Sequence, residues 1–148
     1  MPAKRAKRLE PVKKMMSDAE RECVQLLAAL QARLLEAEHR CQELKRYLSE
    51  YHSSFSQRAK SGIGINGVRD YQLFIARLGE AVQQQDGVVE QLRGDCERAR
   101  VRWREAAAKK SAIGKVIERA NAEASQLDAR RQQHESDERA QRMSGGGS

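Results

Sequence analysis

Gly62, Gly64 and Gly67 stand in the Gly-x-Gly-x-x-Gly order of a dinucleotide-binding loop, and Asp86 follows near the distance at which such folds place a ribose-binding acid. That chemistry needs a strand entering the loop and a helix leaving it within a βαβ unit. Helical patterning precedes these glycines and no strand pattern occurs, so the motif reads as a turn. His39, His52 and His134 share no metal-ligand spacing. Cys23, Cys41 and Cys96 form an odd set without a Cys-x-x-Cys pair, which points to reduced thiols rather than a disulfide framework or a zinc site. No nucleophile, base or metal constellation emerges, so an enzyme is the least favoured class and no cofactor is expected.

The charge is unevenly placed. Lys4, Arg5, Lys7, Arg8, Lys13 and Lys14 oppose only Glu10 in the first fourteen residues, a local +5 out of +7 for the whole chain. A uniformly basic nucleic-acid binder would not look like this, and the leader has no aromatic side chain on which a base could stack. It reads as a solvated basic end or one that docks on an acidic protein surface; a nucleic-acid-binding coiled-coil arm is the alternative. Mean hydropathy is −0.80, no long apolar run or signal segment is present, and a cytoplasmic protein is expected.

The elements that position everything are helical. The only prolines are Pro2 and Pro11, and the glycines at 62, 64 and 67 sit among Ser53, Ser54, Ser56, Ser61 and Asn66, the composition of a turn. Either side of it, apolar residues recur at alternating spacings of four and three, the seam of a coiled coil. One seam is Cys23, Leu27, Leu30, Leu34, Ala37, Cys41, Leu44, Leu48, Tyr51, Phe55. The other runs from Tyr71 through Ile75, Leu78, Val82, Gln85, Val89, Leu92, Cys96, Ala99 and Trp103 to Leu127, with Gln85 and Lys110 its only polar members. The fold predicted is all-α, a long two-helix antiparallel coiled-coil hairpin. Residues 1–14 are read as a basic leader, residues 15–142 as the coiled coil (helices at about 17–57 and 68–140, turn 58–67), and residues 143–148 as a flexible tail.

Residues whose numbers add to 126 pair rung for rung, Phe55 with Tyr71, Leu34 with Leu92, Cys23 with Trp103. A slip of seven would keep the periodicity and stays open at this level. Below Cys23 the seam weakens, because Glu20, Met16 and Lys13 would meet Ala106, Lys110 and Ile113. Gly79, Gly87, Gly94 and Gly114 each weaken the second helix by about 1 kcal/mol relative to alanine and are expected bending points. A slender pair of helices encloses no small-molecule pocket.

The aromatics cluster about the turn: Tyr47, Tyr51, Phe55, Tyr71 and Phe74, with Trp103 alone elsewhere. In heptad letters one flank carries Glu38, Lys45, His52, Gln72, Gly79 and Asp86 at e. The opposite flank carries Arg40, Tyr47, Ser54, Phe74, Ala81 and Val88 at g, where charge is usual. Exposed aromatics in a cluster mark a protein contact; otherwise they only widen the seam.

Tyr47-Leu48-Ser49-Glu50-Tyr51, the Gly/Ser turn, Tyr71-Gln72-Leu73-Phe74-Ile75 and Trp103-Arg104-Glu105 resemble the FliJ family of flagellar type III export proteins, most densely between Cys41 and Glu105. The resemblance implies a non-enzymatic coiled coil, similar to the central stalk of rotary ATPases, that enters the hexameric flagellar export ATPase and promotes its assembly and activity. It further implies contacts with the cytoplasmic part of the membrane export gate and with export chaperones, and a peripheral position at the cytoplasmic face of the inner membrane. The family's gate-binding surface maps onto Leu44, Tyr47, Tyr51, Phe74, Leu78 and Ala81. At its edges the family can carry glutamine and histidine, and Arg40 and Gln85 align there. Neither nucleic acid, a small-molecule ligand nor a metal is implied. A structural coiled-coil dimer through the same seam is the remaining alternative.

Overall fold

A computed structural model describes residues 1–145, of which all but the chain start and a three-residue turn lie in two helices, α1 (Pro2–Ser61) and α2 (Ile65–Gly145). The chain is an all-α antiparallel hairpin of two long helices packed on one another. It forms two compact units: a terminal unit made of Met1–Cys23 with α2 from Trp103 onward, and a turn unit, Val24–Arg102.

In the turn unit the buried residues are the predicted seam. Ala37, Cys41 and Val89 form one core cluster with Leu34 and Leu92 packed against it, and Val82, Cys96 and Ala99 are buried along the same line. Phe55 and Tyr71 meet with ring centroids 5.5 Å apart. These contacts select the 126 register over the seven-residue slip, which would bring Phe55 to Leu78 instead. Gln85, the polar residue of this seam, donates from Nε2 to the Ala37 carbonyl at 3.0 Å. A half-buried amide without that acceptor would be costly, so the bond favours one register where apolar contacts alone are indifferent.

The terminal unit departs from the expected leader. α1 begins at Pro2 rather than near residue 17, and passes through Pro11. The seam continues down to the start of the chain as Pro2, Ala6, Leu9, Lys13, Met16 and Glu20, on the same spacing. Ala6, Ile117 and Ala120 form a second core cluster, with Leu9 and Ile113 packed on it. Pro11 removes one helical hydrogen bond and strains the turn before it, at about 3 kcal/mol in a helix interior. Its side chain is exposed, and the packing of Ala6, Leu9 and Met16 on both sides carries the helix across. The seam does weaken here as expected: Lys13 is exposed, and Glu20 and Lys110, from neighbouring rungs, join in an ion pair of 2.9 Å.

The turn is shorter than residues 58–67. Only Gly62, Ile63 and Gly64 leave the helices. Gly62 has φ of +89°, a conformation that an L side chain adopts at about 1–2 kcal/mol. The Val68 amide donates to the Gly64 carbonyl at 3.0 Å, starting α2, and the Ile63 side chain lies where a Cβ on Gly67 would stand, 2.7 Å from its Cγ1. The residues that look loop-like, Ser53 to Ser61, are helical because Phe55 is still held by Tyr71. α2 runs unbroken through Gly79, Gly87, Gly94 and Gly114. At the other end Met143, Ser144 and Gly145 of the expected tail belong to α2, and residues 146–148 lie outside the described residues.

Ile117 is 4% exposed and Leu35 is 70% exposed, which separates packing from propensity. Ile117→Ala should lower unfolding free energy by about 2–5 kcal/mol, and Leu35→Ala should change it by less than about 0.5 kcal/mol, both read by urea denaturation.

Candidate partner-binding surface

The two flanks of the turn unit follow from the seam, because fixing a and d on the partner helix leaves e and g at the edges of the contact. At the g flank Phe74 meets the seam residue Tyr51, with ring centroids 4.4 Å apart and planes tilted by 39°. Tyr47 is 44% exposed, Tyr51 38% and Phe74 45%, while Leu44, Leu78 and Ala81 beside them are half-buried. The Arg46 guanidinium stands 5.5 Å from the Tyr47 ring centre, which covers one ring with a cation. Nearer the turn, the Ser54 and Tyr71 hydroxyls are 3.3 Å apart and Arg58 lies 5.8 Å from the Tyr71 ring.

Of the eight residues carried over from the family, six thus line one half-buried aromatic strip and two differ in kind. Gln85 is turned into the seam toward the Ala37 carbonyl. Arg40 is exposed and has no ion-pair partner among the described residues. Leu26 and Val88, 47% and 45% exposed, occupy further g positions of the same flank. Leu26 was not singled out in the sequence, although extending the heptad letters two turns of seven below Arg40 reaches it.

The e flank is closed by charge. Asp86 accepts from the Cys41 thiol at 3.0 Å and pairs with Lys45 at 3.2 Å, and Arg93 reaches Glu38 at 3.6 Å and Glu90 at 3.0 Å. These residues line a shallow groove of about 300 Å³ whose cations and carboxylates already satisfy one another. The Cys41 thiol hydrogen bond, then Lys45, hold the Asp86 carboxyl below its ordinary range. The same bond, followed by desolvation, pushes the Cys41 thiol up, and the Asp86 carboxylate raises Lys45. A seam thiol held protonated is a poor nucleophile. His39 and His134 are exposed and pair along their own helix with Glu43 and Glu138.

In the terminal unit the ammonium of Lys110 donates to Glu20 and holds that carboxyl below its ordinary range, against a smaller opposing effect of desolvation. The Trp103 indole adds a minor lowering of Glu20 by proximity, but its buried N–H meets no acceptor at hydrogen-bonding geometry. Trp103 is the large residue of this seam and pairs with Cys23 in the rung next to Glu20.

The turn unit thus pairs charges along one flank and leaves part-exposed rings on the other. Among the described residues no helix is long and apolar enough to cross a membrane. The chain belongs to the FliJ family: the model described as "Flagellar FliJ protein" matches residues 5–147. It is therefore a component of flagellar type III protein export, a family of non-catalytic export proteins. Neither a curated protein nor a solved structure matches the chain.

The Asp86 cluster has a definite pH signature. Asp86, depressed in the fold, stabilises above the ordinary aspartate pKa and loses that contribution as pH falls through its lowered value; Lys45 and Cys41, both raised, stabilise at neutral pH and lose it as pH rises through their folded values. Asp86→Asn should therefore flatten the acid limb of a urea-midpoint versus pH profile. It should also speed alkylation of Cys41 by iodoacetamide, which in the parent chain should lag behind that of half-buried Cys23.

Proposed function

We propose that this chain is a coiled-coil stalk of the flagellar export apparatus that binds the export ATPase hexamer and promotes its assembly and activity. In this reading it also contacts the cytoplasmic part of the export gate and export chaperones, at the cytoplasmic face of the inner membrane. The observation that carries the gate contact is the pairing of Tyr51 with Phe74, with both rings part-exposed beside Tyr47 on the one flank that holds few charges. Leu44, Leu78 and Ala81 supply the half-buried floor of that surface, with Arg40 and Gln85 at its margin. Part-exposed rings backed by a packed seam have the character of hot spots, because they are already ordered and lose little side-chain freedom on binding.

The ATPase contact belongs to the terminal unit in this reading. Residues 125–145 of α2 are every one exposed, with Met1, Pro2 and Ala3 standing beside Leu127, Asp128 and Arg131 at their start. A helix that is polar all round is supported by contacts along its own surface, as Gln133 with Asp137 and His134 with Glu138, and keeps its side chains available to another subunit. The two units are thereby specialised in opposite ways, rings in the turn unit and an exposed, charged stretch of helix in the terminal unit.

Replacing both Tyr47 and Phe74 by alanine should weaken binding to the gate's cytoplasmic part by at least about 2 kcal/mol, roughly thirtyfold, in a titration calorimeter. Helix content and stimulation of ATPase turnover should stay near the parent values. Loss of ATPase stimulation with the gate contact intact would reverse the assignment of the two ends.

A further inference from the structure

The beginning of α1 has two faces. Pro2, Ala6, Leu9 and Met16 face α2. Lys4, Lys7, Arg8, Pro11, Lys14 and Met15 recur at spacings of three, one, three, three and one, which places them on a single stripe on the other side of the helix, and all six are exposed. The stripe contains four cations; the nearest carboxylates, Glu10 at its border and Asp18 one turn beyond Lys14, are exposed and form no ion pair with it among the described residues. Its apolar members are prominent: Met15 is 69% exposed, and Met1, one turn before Lys4, is 78% exposed.

The fold leaves this charge uncompensated. Among the described residues none of Lys4, Arg5, Lys7, Arg8, Lys13 and Lys14 takes part in an ion pair, whereas Lys45, Arg93, Arg98, Arg100 and Lys110 all do. From Lys4 to Met15 the stripe extends about 16 Å, comparable with one to two screening lengths at physiological salt, so its charges act together on a nearby anionic surface. The seam residues behind it keep the stripe straight and presented.

We propose that this stripe is a binding surface for an anionic phospholipid bilayer, on which the first turns of α1 lie flat with the lysines and Arg8 at the headgroups and Met1, Pro11 and Met15 entering the interface. The interleaved methionines favour lipid over nucleic acid. A phosphate backbone gains from the cations but offers nothing to exposed apolar side chains, and the first aromatic residue of α1 is Tyr47, far from the stripe. The stripe lies in the terminal unit to which the ATPase contact is assigned above, so the bilayer is a site for the chain when that unit is not engaged, and the test uses the free chain and vesicles alone.

The test is flotation of the full chain with vesicles of phosphatidylcholine alone or phosphatidylcholine containing phosphatidylglycerol. Binding is expected only to the anionic vesicles and should fade at high salt. Each cation near the surface contributes about fivefold to the partition coefficient, so Lys4→Gln/Lys7→Gln/Arg8→Gln/Lys14→Gln should lower it on the order of several hundredfold, with helix content by circular dichroism unchanged. Lys109→Gln/Lys115→Gln/Arg119→Gln/Arg130→Gln removes equal charge from exposed positions of α2 and should retain most of the binding. Met15→Gln should weaken binding by a smaller, salt-independent factor. Absence of the parent chain from the anionic vesicle fraction, or equal losses in the two quadruple variants, would overturn the proposal. So would tight binding to duplex DNA or RNA that the stripe variant abolishes while vesicles bind neither form.

Discussion

The narrow apolar seam between α1 and α2 is the constraint on which the rest depends. Its rungs are built largely from small and medium side chains, Ala37 against Val89, Ala6 against Ala120, Leu34 against Leu92. Side chains of that size let two helix backbones approach closely and bury what little apolar surface the composition supplies. Because each helix offers only one such strip, fixing it determines which residues fall on each flank. The aromatic surface and the ion-paired surface are consequences of one register.

Periodicity alone does not choose that register. The seam repeats every seven residues, so a slipped pairing would bury nearly as much, and the selection falls to polar groups that tolerate only one neighbour. Gln85 finds the Ala37 carbonyl, and Cys41, Lys45 and Asp86 find each other. In the terminal unit Glu20 and Lys110 do the same across the seam. Each interaction is modest in water-exposed surroundings, yet each is lost or unsatisfied in a slipped state, and that difference is what gives specificity.

Much of this could be read from residue order. The four-three spacing gave both helices, the antiparallel pairing and the two flanks, since those follow from geometry that a heptad imposes. The start of α1 was not legible, because Pro11 and a dense group of cations outweigh Ala6 and Leu9 when local propensity is weighed; only the partners Ile117 and Ala120, more than a hundred residues away, reverse the balance. The turn was overestimated for a related reason. Ser53, Ser54 and Ser56 carry the composition of a loop, but Phe55 among them is anchored by Tyr71. The thiol hydrogen bond of Cys41 also escaped, as it joins a seam position to a flank position of the other helix. Of the surface assigned through the family, the rings were visible as a cluster, whereas the inward turn of Gln85 needed coordinates.

The seam register is tested most directly by a distance between two exposed positions that it places on one rung. Nitroxide labels at Leu35 and Gln91, in a chain whose three cysteines are replaced by alanine, would be measured by pulsed electron resonance after dilution with unlabelled protein. The account predicts one narrow intramolecular distance, set by helix axes about 8–10 Å apart plus the label tethers. A long or broad distribution within single molecules, or a short distance that disappears on dilution, would contradict it.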